Sequence, residues 1–149
     1  MAILLSLFDR LTDDQPKVRV EGPRNEWDQM AALKRGVARD LTNLLNTRIN
    51  EDDIPAEYDH ARRSVAAFGV QDYTRSPLEG DDIRRAIERA IKNFEPRLTR
   101  VRVQVSLAGD MALSFRITAQ LKADLGAGPV LFDAELPKQS RRFHVNEGR

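Results

Sequence analysis

The sequence contains no cysteine, and this absence excludes a disulfide scaffold, a thiolate metal site and a cysteine nucleophile together. It has only two histidines, His60 and His144, without the spacing that aims two ligands at one metal ion. The glycines Gly126 and Gly128 do not lie between a strand and a helix, so they do not predict a phosphate-binding loop. We therefore expect no metal, no cofactor and no catalytic residue.

Neither sign of charge is in excess, because 24 basic and 23 acidic residues nearly cancel. No global field therefore points to nucleic acid or to an anionic membrane. The apolar run Ala2 to Phe8 is interrupted by Ser6 and stopped by Asp9, with no basic leader or small-residue cleavage site. This pattern predicts neither a signal peptide nor a membrane span, and the chain length favours a single domain, 1–149.

The most informative stretch is 81–107, where a helical pattern ends abruptly and a strand pattern begins. Apolar residues first recur at helical spacing, at Ile83, Ala86, Ile87, Ala90, Ile91 and Phe94. They then alternate with polar residues, as in a half-buried strand, at Val101, Val103, Val105 and Leu107. On the charged face of the helix, Glu88 and Lys92 stand four residues apart in the favourable order.

The junction between the two patterns is Glu95-Pro96-Arg97. Pro96 ends the helix at about Phe94, because it lacks an N–H and moves Glu95 out of the α region. A carboxylate that follows a helix C-terminus is disfavoured by up to about 1 kcal/mol. We therefore expect a cation to hold Glu95, either Arg97 or a residue of a partner subunit. If the chain is already extended at Glu95, Leu98 points outward, and a bulge is the alternative.

The first half of the chain predicts helices. Residues 1–24 carry five large apolar residues on a segment too short to bury them alone. We expect a docking segment there, either on the chain's own core or in a partner. Asn25 can cap a long helix that extends to about Arg48, along which apolar residues recur at helical spacing, at Met30, Leu33, Val37, Leu41, Leu44 and Leu45. Ser64 can begin a short helix closed by Gly69.

The second half predicts strands. Alternation continues in a second strand at 111–121, which forms an antiparallel hairpin with the first, and in a third at 130–136. Prolines bound the third strand on both sides, which favours a sheet edge. The polar residues 138–149 are expected to form a flexible tail, in which Phe143 and Val145 pair at most briefly. The predicted fold class is α+β, with N-terminal helices packed on one face of a small antiparallel sheet formed mainly by the C-terminal strands.

Two other functions remain as alternatives. A muramidase would use Glu95 as its acid, but it needs a second carboxylate within about 5 to 10 Å across a sugar-sized cleft, and the sequence singles out none. A nucleic-acid-binding module would use a local excess of basic residues, namely Arg84, Arg85, Arg89, Lys92, Arg97, Arg100 and Arg102. The aromatic residues nearby lie on apolar faces, which favours a solvated or protein-facing surface.

Four sequence blocks occur in the order found in one protein family: SLFDRLTD at 6–13, RDLTNLLNTR at 39–48, SVAAFG at 64–69 and FEPRL at 94–98. Together with the closing strands they cover nearly the whole chain. On these blocks the chain resembles the TssE family of type VI secretion baseplate wedge subunits. That family is similar to the baseplate wedge proteins of contractile-tailed phages, which some classifications label lysozyme-like. Phe68 stands where the family has tyrosine, and Gln71 where it has proline.

The resemblance implies a cytoplasmic, non-enzymatic structural subunit, one copy per wedge of a sixfold hetero-oligomeric baseplate. Its implied partners are wedge subunits of the TssF, TssG and TssK type and the first ring of the contractile sheath, with no nucleic acid and no direct membrane insertion. In the family the Glu-Pro-Arg element is an assembly contact, which assigns partner binding to Glu95, Pro96 and Arg97. Given the sheath partner that the resemblance implies, we hypothesise that an exposed strand edge, at 130–136, accepts a strand from the first sheath subunit.

Overall fold

The computed structural model describes residues 26–50, 54–55, 57–71, 80–107, 112–122 and 128–148. The expected docking segment 1–24 and the expected cap Asn25 lie outside these residues. The helices are α1 at Glu26–Asn46, α2 at Asp59–Arg62 and α3 at Gly80–Phe94, with a 3-10 turn at Val65–Ala67. The strands are β1 at Arg48–Ile49, β2 at Val70–Gln71, β3 at Leu98–Leu107, β4 at Ala112–Leu121, β5 at Pro129–Pro137 and β6 at His144–Glu147.

The last four strands of the chain form one sheet in the order β3-β4-β5-β6, and every neighbouring pair is antiparallel. Side chains alternate between the two faces of this sheet. In β4, for example, Phe115 and Ile117 are buried on the inner face, whereas Arg116 is exposed on the outer face. One face therefore belongs to the core and the other to solvent. This arrangement confirms the predicted α+β class.

Both long helices turn an apolar stripe toward the inner face of the sheet. The buried hydrophobic residues of α1 are Leu33, Val37, Ala38, Leu41, Leu44 and Leu45, and those of α3 are Ile83, Ile87, Ala90 and Ile91. All of them join the sheet residues in one core cluster. Burying each large apolar side chain stabilises the fold by roughly 1.5–3 kcal/mol before entropy is counted. The helical spacing seen in the sequence therefore identified the core faces of both helices.

The prediction that the third strand is a sheet edge is wrong. Strand β5 pairs with β4 along Pro129–Pro137 and with β6 over Phe132–Glu135, so it lies inside the sheet. Its two prolines stand at the ends of the strand, outside the stretch that pairs with β6. The missing N–H groups therefore do not interrupt that ladder. The edges of the sheet are β3 and β6.

The prediction of a flexible tail at 138–149 is also wrong in part, because residues of this segment form β6. Phe143 and Val145 are only 1% and 8% exposed and belong to the core. The amide N–H of Phe143 donates to Oδ1 of Asn46 at 2.8 Å, and Nδ2 of Asn46 donates back to the Phe143 carbonyl at 2.9 Å. The buried side chains of Phe143 and Val145, together with the two hydrogen bonds from Asn46 of α1, order a segment that is polar at most of its positions.

A two-stranded parallel pair, β1 with β2, follows the end of α1. Because Arg48 belongs to β1, helix α1 ends at Asn46, two residues before the predicted end. Gly69, at φ +139°, allows β2 to approach β1 closely, since a Cβ there would lie 2.5 Å from the Thr47 carbonyl oxygen. Ser64 caps a 3-10 turn, not an α-helix, with its Oγ accepting from the Ala66 N–H at 3.2 Å.

Candidate functional site

The junction that organises the sequence is a tight turn between α3 and β3. Helix α3 ends at Phe94, as predicted, and the amide N–H of Glu95 still donates to the Ile91 carbonyl at 2.9 Å. The Leu98 N–H then donates to the Glu95 carbonyl at 3.2 Å. This bond places Pro96 at the second position of a turn, where its fixed φ is favoured. The sequence of the turn therefore converts a helix into a strand within three residues.

The Glu95 side chain is 4% exposed, and it is the one charged side chain that is buried in the described part of the chain. Both of its carboxylate oxygens accept hydrogen bonds from the guanidinium of Arg97, at 2.7 Å from Nε and 2.5 Å from Nη2. The Arg97 backbone N–H donates to Oε1 as well, at 3.2 Å. Of the two cations considered for Glu95, the one in contact is Arg97.

A second carboxylate joins this pair from α1. Nη2 of Arg97 also donates to Oδ2 of Asp40 at 2.7 Å, and Nε of Arg39 lies 3.8 Å from Oδ1 of Asp40. The sequence reasoning missed Asp40, although a signal was present. Asp40 stands seven residues after Leu33 and four before Leu44, so it is an acid placed along the apolar stripe of α1.

The charge state of Arg97 follows from its neighbours. Burial opposes the charged guanidinium, but the hydrogen bonds and negative charges of Glu95 and Asp40 outweigh burial and raise the pKa of Arg97 above its ordinary value. The cluster is therefore a permanent cation between two carboxylates. It supplies charge pairing, not proton transfer, because both oxygens of Glu95 are engaged and nearly inaccessible. This geometry does not fit a muramidase acid.

The strand that leaves the junction begins with a bulge. The register of β3 against β4 shifts between Thr99 and Arg102, and Arg100 has φ +52°. The bulge lets Leu98 and Val101 both face the core, at 6% and 4% exposure, although they are three residues apart. Of the two phases considered for this strand, the bulged one is found. Pro96 remains on the surface beside the buried Glu95.

The basic residues between 84 and 102 do not form one surface. Arg84 pairs with Asp81 and Glu88 on α3, and Lys92 also pairs with Glu88. Arg97 is held in the junction cluster, and Arg102 is exposed on the outer face of β3. A nucleic-acid site needs such residues on one face, so this arrangement does not support one.

The comparisons with known proteins give one positive finding. The family described as baseplate wedge protein gp25 matches residues 31–125, which include α1 from its second turn, the junction and strands β3 and β4. Comparison with curated proteins and comparison with solved structures give no significant match. Among the residues that the structure describes, none of the helices has the length and hydropathy that a membrane crossing requires.

The matched region contains three of the four blocks on which the resemblance rests, at 39–48, 64–69 and 94–98. It also contains all three residues of the charge cluster, Asp40, Glu95 and Arg97. Because the match spans well over half of the sequence, the chain belongs to the baseplate wedge protein gp25 family, whose role in the baseplate is structural.

Proposed function

We propose that this chain is a non-enzymatic subunit of a type VI secretion baseplate in the cytoplasm, and that it bridges neighbouring wedge subunits and the first ring of the contractile sheath. In this role it helps to start sheath assembly. Membership of the baseplate wedge family supports the baseplate part of the proposal. The sheath contact is supported by one observation, the edge strand β6. The proposed partners are wedge subunits of the TssF, TssG and TssK type, in a sixfold assembly, and the sheath subunit.

The hydrogen-bond phase of β6 identifies the backbone groups that face away from the sheet. Gly148 N–H donates to the Leu131 carbonyl of β5 at 2.8 Å, and the direction of bonding alternates along an antiparallel strand. The N–H groups of Val145 and Glu147 therefore point away from β5. Phe143 fits this phase, because its N–H donates to α1 and not to β5.

The two edges of the sheet differ in how they are covered. On β3, the backbone N–H of Val103 donates to the carboxylate of Glu88, which Arg84 and Lys92 hold in place. On β6, no hydrogen bond from the described residues reaches the outward groups of Val145 and Glu147. An open edge accepts an extended strand through main-chain hydrogen bonds. The proposed sheath contact is therefore strand addition on β6.

The Glu-Pro-Arg element forms the second proposed contact. Glu95 and most of Arg97 are buried, whereas Pro96 is exposed. The partner therefore meets Pro96, and the charge cluster of Arg97 with Glu95 and Asp40 fixes the position of that proline. Replacing Pro96 by glutamate places an unpaired charge in this contact without touching the cluster. Wedge assembly should then fail while the purified variant stays folded.

The strand-addition contact is tested with two substitutions at one residue. Glu147→Pro removes an outward N–H, whereas Glu147→Ala keeps that N–H and removes the same carboxylate, which pairs with Lys34 at 3.0 Å. Sheath formation is followed in cells by fluorescence of a tagged sheath subunit, and folding of each purified variant by circular dichroism. We expect sheaths with Glu147→Ala and none with Glu147→Pro. Normal sheaths with a folded Glu147→Pro variant would contradict the contact.

A further inference from the structure

A groove lies between α3 and the lobe formed by α2, the 3-10 turn and β2. It encloses about 330 Å³, and its floor is apolar, formed by Ile49, Ala67, Val70, Ala90 and Phe94. The α3 wall presents Ala86, Ala90 and Asn93 at positions i, i+4 and i+7, so they lie along one face of the helix. Short side chains on such a face allow a second helix to approach closely.

The rim of the groove is basic. Among the described residues that line it are Arg62, Arg63 and Arg89 and one acid, Asp59, which pairs with Arg63 at 3.0 Å. The guanidinium of Arg62 is fixed in place, because Nε and Nη2 donate to the Ile54 carbonyl at 3.2 and 2.8 Å. This bond orders the side chain but does not neutralise its charge. Arg62 is thus an ordered cation on the rim that pairs with no carboxylate of the described residues.

Two large apolar residues that lie close in sequence to groove-lining residues are exposed. Val65 is 86% exposed and Tyr58 is 59% exposed, and both belong to the lobe that carries Arg62. A single exposed apolar side chain is ordinary on a protein surface. Two of them at the ends of segments that line an apolar groove favour a contact with another protein on this side of the molecule. A protein segment uses such apolar residues together with the groove, whereas a small anion uses only the rim.

We propose that this groove binds an amphipathic helix of another baseplate subunit, with an acidic residue of that helix paired to Arg62. The inference rests on the proposed function and extends it to a third surface. Apolar side chains of the bound helix occupy the floor over Val70 and Phe94, and its backbone packs against the short side chains of α3. The positive rim selects an acidic helix over a basic one. Val65 and Tyr58 are covered when the helix is in place.

The test is photo-crosslinking in cells that assemble the baseplate, with a photoreactive amino acid at Val65 and the crosslinked peptide identified by mass spectrometry. We expect a helical segment of another subunit that carries carboxylates beside apolar residues at helical spacing. Arg62→Glu should lower the crosslink yield about tenfold, and exchanging the captured carboxylate for arginine should restore it. Arg102→Glu makes the same charge change on the outer face of β3 and should leave the yield unchanged.

Circular dichroism of the purified variants establishes that each is folded, and Arg62→Gln serves as a second variant that retains a donor for the Ile54 carbonyl. Crosslinks only within this chain, to a second copy of it, or to a segment without acidic residues would overturn the inference. So would a yield unchanged by either substitution of Arg62. If Glu147→Pro abolishes sheaths while the Val65 crosslink is absent, the groove inference fails and the proposed function stands. If deleting the chain leaves baseplates and sheaths intact, both fail.

Discussion

Arg97 and Asp40 are 57 positions apart in the sequence, and their side chains meet at 2.7 Å. This bond joins α1 to the junction between α3 and β3. Since the same guanidinium also holds the buried Glu95, one cation compensates two carboxylates. The junction therefore depends on a contact between distant parts of the chain and not only on the turn itself.

Arg97→Ala is expected to destabilise the fold by about 3–5 kcal/mol, because it leaves a buried carboxylate without its partner. The measurement is urea unfolding at pH 7 followed by circular dichroism. Arg116→Ala is the matched control, since Arg116 pairs with Asp133 at 3.1 Å on the exposed outer face and such a pair contributes at most about 1 kcal/mol. Equal losses in the two variants would show that the junction cluster is no stronger than a surface pair. Arg97→Lys, which keeps the charge without the planar fork, should fall between wild type and Arg97→Ala.

Gly69→Ala is expected to lower stability by more than about 2 kcal/mol, because a Cβ at this position meets the Thr47 carbonyl oxygen and the backbone is at φ +139°. The thermal unfolding midpoint is the measurement. Gly80→Ala is the control, since its Cβ makes only ordinary contact, at 3.4 Å, with the Val105 side chain. An unchanged midpoint for Gly69→Ala would mean that β1 and β2 shift apart at little cost.

Asn46→Ala is expected to loosen β6 without unfolding the protein. The substitution removes both hydrogen bonds to the backbone of Phe143, and each such bond contributes about 1 kcal/mol. Amide hydrogen exchange should therefore speed up in β6 while the β4 amides keep their protection. Asn43→Ala alters the same residue type one turn earlier on the exposed side of α1 and should leave exchange unchanged. Equal protection of β6 in both variants would show that the two Asn46 hydrogen bonds do not order this strand.

Glu88 predicts a pH dependence with a definite sign. The hydrogen bond from Lys92, opposed by partial burial and aided by the N–H of Val103, lowers the pKa of Glu88 below its ordinary 4.5. A carboxyl with a lowered folded-state pKa stabilises the protein above its unfolded pKa, and this contribution is lost as pH falls through the folded value.

Glu88→Gln should therefore lower stability at pH 7, and its gap to wild type should be smaller at pH 3, because the charge of Glu88 is lost as the pH falls through its lowered folded-state pKa. Because the pair lies at the surface, the gap at pH 7 should be at most about 1 kcal/mol. Urea unfolding at the two pH values measures it. Glu135→Gln, at an exposed carboxylate of β5, provides the baseline for an acid outside this pair. A gap as large at pH 3 as at pH 7 would exclude the charge of Glu88 as its cause.

The parts of the fold that were predicted correctly depend on short-range rules. Periodicity identified the buried faces of α1 and α3, and Pro96 placed the end of α3 at Phe94. The charge of Glu95 at a helix end required a cation, and Arg97 was among the candidates because it is two residues away. Each of these inferences uses residues within one or two turns of each other, where sequence spacing determines geometry.

The parts that were missed depend on contacts between distant residues. Asp40 reaches the junction only because α1 packs beside α3. The sequence of α1 shows an acid on an apolar stripe, but it does not indicate that Arg97 is its partner. Strand β6 has few apolar residues and is ordered by β5 and Asn46, so its sequence reads as a polar tail. Terminal prolines suggested an edge for β5, although the position of a strand in a sheet depends on which neighbour pairs with it.

Helix α1 contacts both edge strands of the sheet, because Asp40 binds the start of β3 through Arg97, while Asn46 and Lys34 bind β6 and the residue that precedes it. The helix therefore connects the two edges of the sheet mechanically. A tensile load on β6 is therefore divided between the β5 ladder and the side chains of α1, and the part carried by α1 reaches the Arg97 junction directly. Under tension the subunit would therefore resist as one body, whereas a sheet without this helix would yield one strand at a time.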